Sequence, residues 1–224
     1  MSSDFLVVFD CDGVLVDSER LMQDVDMRMI ADLGWAITRN EIFDQFLGRS
    51  ESVGIATIER KIGRPVPADF VDQRRAEHAA AFSNGLAEVR GVRRAVTDLQ
   101  SGGYVTCVAS SGRHTRIRSV LHMTDLFHFF DGQIFSGDDV EHGKPSPDLF
   151  LYAAESMGYR PAQCVVVEDS PAGVAAAQAA KMPVVGYCAV TPIKALAGAD
   201  VLVSDMHDLT SAIVHLTSRT SGST

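Results

Sequence analysis

The chain has 224 residues, 46% hydrophobic and 22% charged, the balance of an ordinary soluble globular protein with room for one sizeable domain or a core carrying a smaller insertion. A formal net charge of −9 argues against a broad nucleic-acid or acidic-membrane surface. No apolar run approaches a membrane span. The N-terminal one is only five residues long and lies between Asp4 and Asp10, so no signal peptide is read and cytoplasmic residence is the expectation.

Phe5–Phe9 is short, partly β-branched and unbroken by polar residues, which predicts a strand buried on both faces. It ends in Asp10 and Asp12, with Gly13 next to let the backbone turn. Two carboxylates one residue apart at the mouth of a core strand repel each other, and a cation or a proton is needed to relieve the conflict. A single aspartate there would read as a helix cap. Two followed by glycine read as chemistry.

Residues 18–84 then hold four predicted helices and no convincing strand. Glu19–Leu33 places Leu21, Met22, Val25, Met29, Ile30 and Leu33 near one face, and Gly34 supplies the stop. Glu41–Leu47, Ser52–Ile62 and Ala68–Phe82 follow, and Trp35 reads as a packing residue between them.

From Val92 the texture alternates. A helix over Val92–Leu99 leads to a buried strand, Tyr104–Ala109, closed by Ser110–Ser111–Gly112, and then to a helix over Arg116–Leu121. A short strand follows at Gln133–Ser136, with a loop at Gly143–Pro147. Ser146–Pro147 is the expected N-cap and first position of a helix over Leu149–Met157. Cys164–Val167 is a further buried strand, and Ser170–Pro171 opens an alanine-rich helix in the same manner. Strands at Pro183–Tyr187 and Val201–Val203 and a helix over Leu209–Leu216 complete the pattern, with residues 217–224 expected to be a disordered tail.

Such alternation predicts an α/β, Rossmann-like parallel sheet with helices on both faces. The all-helical block is too long for a crossover and reads as an inserted cap domain. The expected boundaries are 1–17 and 85–216 for the core and 18–84 for the cap, with Asn84–Gly85 and Gly91 as flexible points. The four cysteines (Cys11, Cys107, Cys164 and Cys188) include no CxxC pair and read as core residues of a reducing compartment, with Cys11 not assigned as a nucleophile. The histidines His78, His114, His122, His128, His142 and His207 lack metal-ligand spacing and receive no role.

Ligands of open parallel sheets bind outside the carboxyl ends of the strands. Asp10 and Asp12, Ser110, Lys144 in its loop, and Glu168 with Asp169 all fall at such ends. Clustered carboxylates make a hard oxygen site for Mg²⁺, while a lysine and a serine hydroxyl can hold phosphate oxygens. A carboxylate can attack phosphorus, and a second one can manage the proton. The conjunction therefore suits phosphoryl transfer.

In the stretches FDCDGVLVDS, VASS, GKPSPD and VVVEDSPAG the chain resembles the haloacid dehalogenase superfamily, in its beta-phosphoglucomutase-like branch with a helical cap after the first strand. The resemblance implies Asp10 as nucleophile and Asp12 as general acid/base, with Ser110 and Lys144 binding the phosphoryl group. It further implies Mg²⁺ held by Asp10, the Asp12 carbonyl and Asp169, with Glu168 as ligand or immediate neighbour. Arg49 in FLGRS and Ser111 are the candidate substrate-binding residues; Arg49 reads equally well as a surface arginine, and Arg113 has a weaker claim. Asp12 points to phosphoesters, because dehalogenases and phosphonate-cleaving relatives lack that second aspartate. Mutases of the branch carry a cap histidine twelve residues after the nucleophile, where this chain has Met22. The expected function is thus a Mg²⁺-dependent phosphatase of a small metabolite, a sugar or polyol phosphate, without nucleic-acid or membrane partners; the sequence does not disclose the oligomeric state, and a monomer is assumed. A sugar-phosphate mutase is the alternative, and a non-enzymatic aspartyl phosphoacceptor a remote one.

Overall fold

A computed structural model describes residues 5–46 and 51–220. The run Leu6–Phe9 forms strand β1, all four residues buried, as expected for a strand covered on both faces. Five strands join it: β2 (Val105–Ser110), β3 (Ile134–Ser136), β4 (Cys164–Glu168), β5 (Val184–Tyr187) and β6 (Val201–Val203). They form one sheet of order β3-β2-β1-β4-β5-β6 in which each neighbouring pair is parallel. The chain runs outward from β1 through β2 to β3, then returns to lay β4 on the other side of β1. That reversal puts a topological switch point at the carboxyl ends of β1 and β4, where open α/β sheets bind ligands.

Register fixes what meets there. Phe9 lies opposite Val108 on one side and Val167 on the other, and the Asp10 amide donates to the Val167 carbonyl at 2.9 Å. Asp10 is therefore delivered between the ends of β2 and β4. Leu6 and Val8 pack with Leu149, Phe150, Val166 and Val174 on one side of the sheet. Each such side chain contributes about 1.5–3 kcal/mol by leaving water, which makes the strand ends a rigid platform.

The connecting helices of this unit are α5 (Val92–Ser101), α6 (His114–Met123), α7 (Asp148–Ser156), α8 (Pro171–Ala179) and α9 (Leu209–Thr220). Several boundaries differ from expectation, three of them near the site or the C-terminal end. Ser146 does not cap α7: its hydroxyl donates to Asp148 Oδ1 at 2.6 Å, and Pro147 occupies the cap position instead. Residues 217–220 are not a disordered tail, because α9 continues to Thr220 with Thr217 buried and bonded to the Tyr104 hydroxyl at 2.9 Å. Ser110 and Glu168 belong to strands β2 and β4, one residue beyond the apolar runs that predicted them.

The chain divides into two compact units, one comprising residues up to Asp17 together with those from Ala87 onward, the other Ser18–Leu86. The second unit consists of α1 (Ser18–Asp32), α2 (Arg39–Phe46), α3 (Glu51–Ile62) and α4 (Phe70–Gly85). Asn84 and Gly85 form the last turn of α4. Val25, Met29, Ile30, Trp35, Ile42, Ile58 and Phe70 form its core, so Trp35 does pack between helices. Beside that core, Asp26 of α1 accepts from Arg74 Nε and Nη2 of α4 at 2.7 and 2.6 Å, and pairs with His78 Nε2 at 2.8 Å. Burial raises the Asp26 pKa, but hydrogen bonds from Arg74 and His78 outweigh it and hold the carboxyl below its ordinary range. Among the described residues, no helix is long and apolar enough to cross a membrane.

A carboxylate with a lowered native pKa stabilises the fold above its unfolded pKa, and that stabilisation is lost as pH falls through the folded value. Asp26→Asn is therefore expected to lower stability by about 2 kcal/mol at pH 7, with the deficit shrinking as pH drops below about 4. Urea melts of both proteins between pH 3 and pH 7 measure it.

Candidate active site

Asp10, Ser110, Glu168 and Asp169 are 8%, 2%, 1% and 4% exposed, so the strand ends carry four polar side chains almost withdrawn from water. Burial on this scale is tolerated only where charges are paired and hydrogen bonds made. Lys144 answers much of that demand. Its ammonium, on a side chain 4% exposed, donates to Asp10 Oδ1 at 2.6 Å, to Glu168 Oε1 at 2.7 Å and to the Ala109 carbonyl at 3.0 Å. A lysine has three donors, and all three are used. The loop lysine is thus a buried bridge between β1, β2 and β4.

Glu168 is fixed from its other side as well. Its Oε2 accepts from the Ser170 amide at 2.8 Å and the Ser170 hydroxyl at 2.9 Å. The same hydroxyl accepts from the Gly173 amide at 3.0 Å, capping α8, with Pro171 at the first helical position as expected. Two glycines leave room for the carboxylates. Gly13 has φ +76°, and a Cβ there would collide with the Asp169 carboxylate; a Cβ at Gly173 would collide with that of Glu168.

One carboxylate oxygen from each of Asp10, Glu168 and Asp169 lies within 4.8 Å of the others. Burial pushes the Asp10 pKa up to about 7; Lys144 opposes the shift, and the charges of Glu168 and Asp12 reinforce it. Burial disfavours the Lys144 ammonium, yet Asp10 and Glu168 more than compensate and hold its pKa above the ordinary value.

Asp12 is held apart from that cluster by a residue absent from the sequence-based site. Arg116, in the first turn of α6, donates from Nη1 to Asp12 Oδ2 at 2.5 Å and from Nη2 to Asp12 Oδ1 at 2.7 Å. A signal for it existed in the sequence. A helix start favours acidic residues, yet the first turn of α6 carries none and has His114 and Arg116 instead.

Ser110 Oγ accepts from the Gly112 amide at 3.2 Å, a turn contact that orders the loop after β2. Ser111 is exposed on that loop, and Arg113 is the exposed N-cap of α6. Arg49 lies outside the described residues. Met22 lines an open cavity of about 200 Å³ within the helical unit, together with Glu19, Gln23, Asp26, Phe43 and Arg74. Cys11 is buried, and burial pushes its thiol well above the ordinary range, which suits a packing residue.

The profile of the haloacid dehalogenase-like hydrolases matches residues 6–181. The chain belongs to that family. It is 31% identical over 186 residues to the 6-phosphogluconate phosphatase of Escherichia coli K12, covering 82% of each chain. To hexitol phosphatase B of the same organism it is 32% identical over 177 residues, 78% of this chain and 79% of that one. A solved structure of a conserved haloacid dehalogenase-like protein from Agrobacterium tumefaciens superposes with a TM-score of 0.87 at 31% identity, over 94% of this chain and 98% of that one. By class this hydrolase is a phosphoric monoester hydrolase.

The two glycines give a direct check of how tightly the carboxylates of the hydrolase are seated. Gly173→Ala is expected to destabilise by about 1–3 kcal/mol, because the new methyl must displace the buried Glu168 carboxylate. Gly143→Ala, with nothing within 4 Å of the added methyl, should stay within about 0.5 kcal/mol. Thermal melts of the two variants beside the parent protein make the comparison.

Proposed function

We propose that this hydrolase is a Mg²⁺-dependent phosphatase of a small sugar or polyol phosphate, working through a phosphorylated Asp10. The observation that carries the reading is the Lys144 bridge, which joins the carboxylates of β1 and β4 beside Ser110. The substrate class is drawn from the similarity to phosphatases named for 6-phosphogluconate and hexitol phosphates.

The donor chemistry fits the cation. Asp10, Glu168 and Asp169 offer hard oxygens within 4.8 Å of one another, the type of donor Mg²⁺ prefers. The wider site has four carboxylates, counting Asp12, against the two cations Lys144 and Arg116, a deficit that one divalent ion balances. Glu168 also holds Lys144 and Ser170 in place through hydrogen bonds to its two oxygens. Asp10, Asp169 and the Asp12 carbonyl would hold the metal, with Glu168 as ligand or immediate neighbour. When bound, Mg²⁺ neutralises phosphoryl oxygens and favours the ionised, nucleophilic form of Asp10 against the upward pull of burial.

Each side chain has a balanced role. Lys144 fixes the Asp10 carboxylate by holding Oδ1, so little orientational freedom is lost on the way to the transition state. As an Asp10 oxygen bonds to phosphorus, the bond to the ester oxygen breaks and Asp12 protonates the departing alkoxide. Asp12 next takes a proton from water, whose oxygen attacks phosphorus, and cleavage of the bond to Asp10 releases inorganic phosphate. The Ser110 hydroxyl donates to a phosphoryl oxygen, and the Lys144 ammonium, its donors engaged by Asp10, Glu168 and the Ala109 carbonyl, offsets the equatorial charge electrostatically.

With Mg²⁺ the purified protein should release inorganic phosphate from members of a sugar- and polyol-phosphate panel, and a chelator should abolish the release. A phosphate-free interconversion of hexose 1- and 6-phosphates would instead make it a mutase. Asp10→Asn should melt as a folded protein yet show no turnover. Asp12→Asn should lose at least about tenfold more activity on an alkyl phosphate than on an aryl phosphate, whose leaving group needs no proton. Equal losses on the two esters would remove Asp12 from the acid role.

A further inference from the structure

Arg116, beside the strand ends, is a described titratable group for which the family motifs supply no task. It reaches back from α6 to the loop after β1, spanning 104 residues of sequence, and grips Asp12 with two hydrogen bonds. The pair is half-buried, at 33% and 24% side-chain exposure. A two-pronged guanidinium–carboxylate contact fixes the plane of the carboxylate as well as its position, which a lysine could not do.

Three features of the chain favour this grip. The Arg116 guanidinium sits in a helix first turn, where the macrodipole opposes it, and the Asp12 carboxylate offsets that cost. Burial disfavours its charge, but the hydrogen bonds and charge of Asp12 outweigh burial and hold the guanidinium pKa above its ordinary value. Gly112 provides the passage: a Cβ there would lie 3.3 Å from Arg116 Nη1 and 3.5 Å from Ser110 Oγ. The loop that presents Ser110 therefore also carries the arginine that orients Asp12.

We propose that Arg116 is a positioning residue, holding the Asp12 carboxylate in the orientation from which it exchanges a proton with the ester oxygen and with water. The proposal rests on the assignment of Asp12 as acid and base. Each carboxylate oxygen has two lone pairs and the fork engages one on each, so the grip does not by itself block proton exchange. Proton delivery and the grip are thus compatible. Arg116 touches neither the ester nor phosphorus in this scheme and acts through Asp12 alone.

The test measures kcat with Mg²⁺ for an alkyl phosphate and for p-nitrophenyl phosphate, in the parent protein, Arg116→Gln, Arg116→Lys, Asp12→Asn and the Arg116→Gln/Asp12→Asn double variant. Arg116→Gln should lose roughly 10- to 100-fold on the alkyl ester and much less on the aryl ester. Arg116→Lys, which keeps charge but not the fork, should fall between Arg116→Gln and the parent, and it guards against a glutamine variant that fails to fold. In the Asp12→Asn background the arginine substitution should add almost nothing, because the two residues act as a unit. Equal loss on both esters, full additivity in the double variant, or no loss at all would overturn the proposal. If Asp12→Asn itself lacks the leaving-group dependence, the acid assignment falls and the proposal with it. A split in Asp12→Asn without one in Arg116→Gln overturns the proposal alone.

Discussion

The buried ammonium of Lys144 is the interaction on which the site depends. Three acceptors from three strands converge on it, and without a cation there two carboxylates would face each other in a medium of low polarity. The sheet brings them to this point: β1 delivers Asp10, β2 the Ala109 carbonyl and β4 Glu168, in parallel register at the switch point. The lysine arrives from a loop between β3 and α7, far from all three in sequence. A sheet edge could not support the arrangement, because only the centre of the sheet has a strand end on either side.

The surrounding backbone serves the same end. Ser170 works twice, capping α8 through the Gly173 amide and fixing Glu168 through its hydroxyl proton. Gly13 and Gly173 are glycines because carboxylates occupy the space a methyl would need. The charge deficit that remains after Lys144 and Arg116 are counted is the electrostatic ground for the divalent cation proposed above. The guanidinium that grips Asp12 holds that carboxylate apart from the cluster. The two aspartates of one short motif therefore occupy unlike environments, Asp10 buried against a lysine and Asp12 half-exposed against an arginine.

Much was legible in the linear chain. Unbroken apolar runs such as Leu6–Phe9 and Cys164–Val167 suit strands covered on both faces, and their alternation with helices predicts the six-stranded parallel sheet. Ser170–Pro171 marked a helix start, and it is one. Ser146–Pro147 carried the same local signal, yet Pro147 takes the cap position there and the Ser146 hydroxyl donates to Asp148. The tail likewise looked structureless by composition, yet α9 runs on through Thr217, held by a side-chain contact with Tyr104 from across the unit. Local propensity is a weak constraint wherever a distant partner is available.

The sequence by itself determined the strands, the helical insertion and the residue types at the strand ends, because periodicity and turn chemistry are local properties. It also placed Asp10, Ser110, Lys144, Glu168 and Asp169 at strand ends or in an adjoining loop. Only the tertiary structure decided how those residues share their charges: that Lys144 is wholly buried and bridges two carboxylates, that Glu168 is fully engaged, and that Asp12 belongs to Arg116. Those pairings join positions between 24 and 134 residues apart, and no window on the sequence spans them. Charge pairing is set by distance in space, and the fold alone supplies that distance.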